Sequence, residues 1–189
     1  MNQEHTNEQA EWKALVEAGN AAYAERKYTE AELKFAAALR LAEKWAGADG
    51  GIEATTAERR DLDEQLAKSL NNMAALYHTQ GKYKMAEDLY DRCLDLKIRL
   101  HGEDHIEVAL NLHNLAALHS AKARWALAEP LYLRSLEIKE QVFGKDSPEL
   151  VSILNNYALM LRRTKRDDEA DQLEARAKLL SETATSAAK

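Results

Sequence analysis

Proline and cysteine are almost absent from this sequence, with two of the first and one of the second in 189 residues. The lone Cys93 excludes an internal disulfide framework and suits a reducing compartment. With so little proline, and Ala, Leu, Glu and Lys abundant beside seven glycines, the expected class is all-α. Positive charge is in deficit: 26 Lys and Arg face 32 Asp and Glu, a formal charge of -6. That balance argues against nucleic acid as a partner, because a nucleic-acid binder needs a basic stripe to displace counterions. No apolar run approaches the roughly 18 residues that a membrane span requires. Residues 1–9, MNQEHTNEQ, lack the apolar centre of a secretory signal, so the expectation is a cytoplasmic protein with no membrane partner. Site chemistry is missing as well. No Ser/His/Asp arrangement, phosphate-cradling glycine loop or CxxC pair occurs, so neither enzyme activity nor a cofactor or metal is expected.

What the chain does have is self-similarity at a spacing of 42 residues. Asn72, Asn114 and Asn156 fall in step, as do Ala74, Ala116 and Ala158, then Ala86, Ala128 and Ala170, then Leu89, Leu131 and Leu173. Gly102 and Gly144 keep the register. A period of this size denotes stacked supersecondary units, each too small to bury its apolar face alone. Within one unit, Leu70, Met73, Ala74 and Tyr77 lie at i, i+3, i+4 and i+7, one face of a helix. Gln80, Gly81 and Lys82 break it, and a second stripe follows through Ala86, Leu89, Tyr90, Cys93, Leu94 and Ile98. The unit is a helical hairpin. Small residues (Ala74, Ala86, Cys93, Ala116, Ala128, Ser135) mark where two helix backbones approach closely, and larger side chains there would overpack the contact.

Four hairpins are expected, at about 12–45, 56–100, 105–142 and 147–180, within a domain spanning 10–182. Residues 1–9 and 183–189 read as disordered tails. From Gly19 to its counterpart Ala74 is 55 residues, so 13 extra residues interrupt the register, and AGADGG marks a loop insertion at 46–55. Thr55 with Glu58, and Asp104 with Glu107, have the spacing of capping boxes. Ser147-Pro148 is another start signal, and Pro130 falls in the first turn or so of its helix, where no intrahelical acceptor is lost. The last helix carries one narrow stripe, Ala170, Leu173, Ala177 and Leu180, as a terminal repeat facing water requires.

These residues resemble the tetratricopeptide repeat, whose signature is a small residue in the first helix, an aromatic near the turn, and a small-aromatic-small series in the second. Ala74, Tyr83, Ala86, Tyr90 and Cys93 match it, as do Ala116, Trp125, Ala128, Tyr132 and Ser135. In the first unit the match is Gly19, Tyr28, Ala31, Phe35 and Ala38. The 42-residue form, with LNN-x-A-x-L-Y and AE-x-LY-x-R-x-L, is similar to kinesin light chain and its many bacterial relatives. The resemblance implies a right-handed α-solenoid whose first helices line a concave groove holding a peptide or helix of a partner protein. It implies neither motor binding, since the heptad segment for that is missing, nor chaperone capture. Val16, His113 and Ala117 stand where a carboxylate clamp would need Lys or Arg.

On such first helices Asn71, His78, His113, Ser120, Asn155, Arg162 and Arg163 face the implied groove, with Asn72, Asn114 and Asn156 at its edge. An amide both donates and accepts, so a ladder of Asn suits the backbone of an extended peptide; the alternative is bonding between neighbouring repeats. RRTKR, residues 162–166, is a basic cluster that would pair with acidic ligand groups, or a solvated face. His101 and His105 are expected in a loop, and Cys93 is expected to serve packing. The expected function is a non-catalytic interaction scaffold. The alternative is a self-associating array, using Trp12, Trp45 and the lengthened helix after the insertion as an apolar face to form a homo-oligomer.

Overall fold

The computed structural model describes the backbone of residues 3–47 and 55–187, and the side chains of residues 6–47 and 55–183. All regular structure among them is helical. The helices are α1 (Gln3–Ala24), α2 (Tyr28–Ala46), α3 (Thr56–Thr79), α4 (Tyr83–His101), α5 (Ile106–Ala121), α6 (Trp125–Phe143), α7 (Val151–Arg163) and α8 (Asp167–Ala187). A 3-10 turn, Pro148–Leu150, precedes α7. They fall into two compact units, one ending at Leu100 and one starting at His101.

Four hairpin turns share one backbone solution. Arg26, Gly81, Ala123 and Lys165 all take positive φ, and their spacing reproduces the 55- and 42-residue steps of the sequence. In each, the next N–H closes the turn on a carbonyl five residues back: Lys27 on Ala22, Lys82 on Tyr77, Arg124 on His119 and Arg166 on Leu161, at 2.8–3.0 Å. This is the Schellman closure, which satisfies carbonyls orphaned at a helix end. Gly81 suits it without strain, whereas the other three hold side chains in the left-handed region.

The small residues do the packing expected of them. Ala74, Ala86, Ala116 and Ala128 have no exposed surface, and Gly19 lies so close to Phe35 that a Cβ would come within 2.5 Å of the ring. Cys93 Sγ donates to the Ala67 carbonyl at 3.2 Å, and its counterpart Ser135 Oγ to that of Ala109 at 2.6 Å. That position therefore ties second helix to first as well as packing. In the first unit the core joins Trp12, Val16, Ala38, Ala42, Trp45 and Leu62, then Ala67, Leu70, Cys93 and Leu96. In the second it runs from Ala116, Ala128 and Tyr132 through Tyr157 and Ala158 to Leu154, Ala177 and Leu180.

Several expectations change. Residues 3–9 are the opening turns of α1, where Glu8 accepts from Trp45 Nε1 at 2.8 Å and pairs with Lys44. At the other end α8 continues to Ala187, since nothing after Ser181 breaks it. Trp12 and Trp45 are buried, with Trp12 Nε1 donating to Ser69 Oγ at 2.9 Å, so they offer no apolar face to a second copy. Of the loop expected at 46–55, residues 48–54 lie outside the described ones, Ala46 ends α2 and Thr55 caps α3 in a full capping box with Glu58. The α5 cap is His105, whose Nδ1 accepts from the Glu107 N–H, and Asp104 instead pairs with Arg134. Pro130 is the sixth residue of α6, beyond the orphan N–H zone, and its missing donor deprives the carbonyl of Ala126, an exposed residue, of its i+4 N–H. Ser147 caps the 3-10 turn with Pro148 first, as its sequence suggests.

Candidate peptide-binding face

The residues expected to meet a ligand sit on the first helices, and each unit presents them differently. In the first unit, α3 carries Asn71, Asn72 and His78, all half-buried. Asn72 buries its Nδ2 without a partner. The His78 ring leans edge-on against Tyr83, with centroids 5.9 Å apart, and burial lowers its pKa. Tyr23, the counterpart of His78 one repeat earlier, shares a 2.7 Å hydrogen bond with Thr79 Oγ1.

In the second unit the face is built from α5 and α7. His113 and Asn114 on α5 are half-buried, whereas Asn155 on α7 is exposed. Asn156 Nδ2 lies 2.8 Å from His113 Nε2, linking neighbouring first helices. The His113 ring packs against Tyr132 at 5.9 Å, and burial, helped by the charge of Lys139, lowers its pKa to about 4. The imidazole is therefore neutral at pH 7. Leu159, in step with half-buried Ala75 and Ala117, is 57% exposed.

The basic cluster divides. Arg162 is engaged within its own hairpin by Asp167, Asp171 and Glu174. Arg166 reaches Glu129 and Glu169, each at 2.6 Å. Arg163 and Lys165 are exposed, and among the described residues neither has a partner. The pair His101 and His105 stacks face to face, centroids 4.3 Å apart and 12° from parallel, so their in-plane lone pairs do not converge on one ion.

The sequence profile of the tetratricopeptide repeat matches residues 65–141 and 110–178, more than half of the chain. The chain belongs to the tetratricopeptide repeat family. Among solved structures it is similar to BtubC (BKLC) from P. vanneervenii, with a TM-score of 0.68 and 19% identity over 97% of this chain and 75% of that one. The likeness is one of fold. No curated protein matches the sequence. Tetratricopeptide repeats generally bind protein partners, and the family is typically non-catalytic.

Two polar positions of the tetratricopeptide repeat act as clasps between successive hairpins within each unit. Glu32 accepts from Lys82 Nζ at 2.9 Å and Gln80 Nε2 at 3.1 Å, and the Lys82 bond is the main reason its carboxyl titrates below the usual range. The matching Glu129 accepts from Arg166 and, at 2.8 Å, from the Tyr157 hydroxyl, whose pKa rises to about 12, mainly through burial. In both, a carboxylate early in a second helix holds the residue just past the next hairpin's turn. The second clasp is arginine. Arg92 meets Glu43 at 2.7 Å and Arg176 meets Glu140 at 2.6 Å. Arg134, which lies between them in register, pairs within the second unit with Asp104 and Glu137. The signal lay in the block AE-x-LY-x-R-x-L, whose Glu and Arg keep the repeat spacing.

Proposed function

We propose that the chain is a non-catalytic scaffold that holds a peptide or helix of a partner protein on the first-helix face of its repeats. The observation that carries this reading is the outward offer of the second unit. Asn155, Leu159 and Arg163 lie on α7, each exposed. Asn155 and Arg163 have no intramolecular partner among the described residues. An exposed amide, a cation and an apolar side chain on one helix suit a ligand that is itself a polypeptide. His113, Asn114, Asn156, Asn71, Asn72, His78 and Arg162 belong to the same proposal as flanking residues, with Arg162 available only to a ligand that displaces its carboxylates.

A triple change, Asn155→Ala with Leu159→Ser and Arg163→Ala, removes the outward groups and touches no described hydrogen bond. Partner proteins recovered from native lysate on the unaltered chain should be lost from the variant, with helicity and melting retained. Recovery of the same set by both would remove this face from the function.

A further inference from the structure

We infer that the chain associates head to tail with copies of itself, the exposed side of α7 in one copy receiving α1 of the next. The inference rests on the proposed reading of α7 as a docking face and names its occupant. It begins with the step between neighbouring first helices inside each unit. Tyr23 meets Thr79, 56 residues on, and His113 meets Asn156, 43 residues on. Each separation is one residue more than the local repeat of 55 or 42, so in both units a first helix meets its successor one residue beyond register.

Ala158 and Gly19 hold the same repeat position. The one-residue step therefore sets Asn155 against Glu17 of the next copy, Leu159 against Ala21 and Arg163 against Glu25. All six are exposed, and among the described residues Asn155, Arg163 and Glu17 have no intramolecular partner. The amide donates to the first carboxylate and the guanidinium to the second. The apolar pair keeps its volume with the order reversed. Inside the second unit the same two places hold Ala117 on the earlier helix and Met160 on the later one, and Leu and Met exchange with little change of size. The carboxylate clasp has its counterpart as well. Asp171 stands at the place of Glu129, and Lys27 at the place of Arg166 and Lys82. In the single chain Lys27 pairs with Glu25 at 2.6 Å, and Asp171 pairs with Arg162. Such surface pairs contribute little and exchange readily. Glu25 passes to Arg163 and Lys27 to Asp171, while Arg162 keeps Asp167 and Glu174.

The test is sedimentation of the full chain over a range of concentrations. The contact joins unlike surfaces, so the mean mass should climb past two copies. The expected Kd is about 0.1–1 mM, as for an edge smaller than a standard interface. Arg163→Glu and Glu25→Arg should each weaken association by about tenfold or more, because each sets like charges face to face. A chain carrying both changes regains an opposite-charge pair and should recover the association, which guards against misfolding of either single variant. A chain that stays monomeric to about 1 mM overturns the inference. So does association that neither single change weakens, that the double change does not recover, or that stops at two copies as a two-fold contact would. The scaffold reading is judged apart, by whether lysate partners still require Asn155, Leu159 and Arg163. A monomeric chain whose partners need those residues loses only α1 as the occupant, and a monomeric chain whose partners ignore them loses both.

Discussion

The two units meet the same positions of the repeat with different chemistry. In the second, Asn156 reaches His113 on the neighbouring first helix; in the first, the matching Asn72 buries Nδ2 unpaired, because Val16 holds the place corresponding to His113. The balance reverses at another position. Ser69 accepts from Trp12 Nε1 and donates to the Gln65 carbonyl, whereas its counterpart Asn111 buries both amide atoms with no partner. The last repeat has Ile153 there, fully buried. Register is carried by the alanines and the turns, which are the same in both units. Polar positions are therefore free to differ, and each unit keeps buried amide atoms that its surroundings do not satisfy.

The largest effect expected from breaking this contrast is at Asn111. An unpaired buried amide costs about 1–3 kcal/mol, so Asn111→Leu should stabilise the chain by about that much. Calorimetry should show Tm rising by about 2–4 °C for each kcal/mol gained in a chain of this size. An unchanged or lower Tm would mean that the amide is satisfied in solution, and the two units would then differ less than their bonds suggest.

The asparagine ladder gives the next effect. Asn156→Ala strands His113 Nε2 and should cost about 1–2 kcal/mol, while Asn72→Ala removes a group with no partner for its Nδ2 and should stay within about 0.5 kcal/mol of the parent. Urea melts of the two variants make the comparison directly. Equal losses would show that the Asn156–His113 bond contributes nothing and that Val16 is not what separates the units.

The hairpins were legible in the sequence because their signals are steric and periodic. Ala74, Ala116 and Ala158 must be small, and Gln80 to Lys82 must turn, whatever surrounds them. Thr55 with Glu58 was legible for the same reason, since both partners of a capping box lie within one helical turn. The partners of the groove residues were not legible. Arg162 and Arg166 read as ligand cations until Asp171, Glu174 and Glu129 are brought to them by packing, and nothing in their spacing says so. Trp12 and Trp45 read as an exposed face because their partners, Ser69 and Glu8, lie 57 and 37 residues away. Asp104 failed as a cap for a different reason. Two capping residues stand side by side, and the choice fell to His105 because Arg134 engages Asp104.

The smallest effect concerns the four turns, where backbone conformation can be separated from contact. Arg26, Ala123 and Lys165 take φ of 60, 54 and 62°, the same left-handed conformation as Gly81 at 73°. A side chain there costs roughly 1–2 kcal/mol. Glycine recovers that but gives back about 0.5–1 kcal/mol of unfolded-chain entropy. Ala123→Gly should therefore stabilise the second unit by about 0.5 kcal/mol. Gly81→Ala should destabilise the first by a similar amount, because no atom lies within 4 Å of a Cβ built there and only the backbone resists. Opposite shifts of the two urea midpoints would establish that the turns are equivalent and that the units differ in side-chain chemistry alone. Shifts of the same sign would place the difference in the turns themselves.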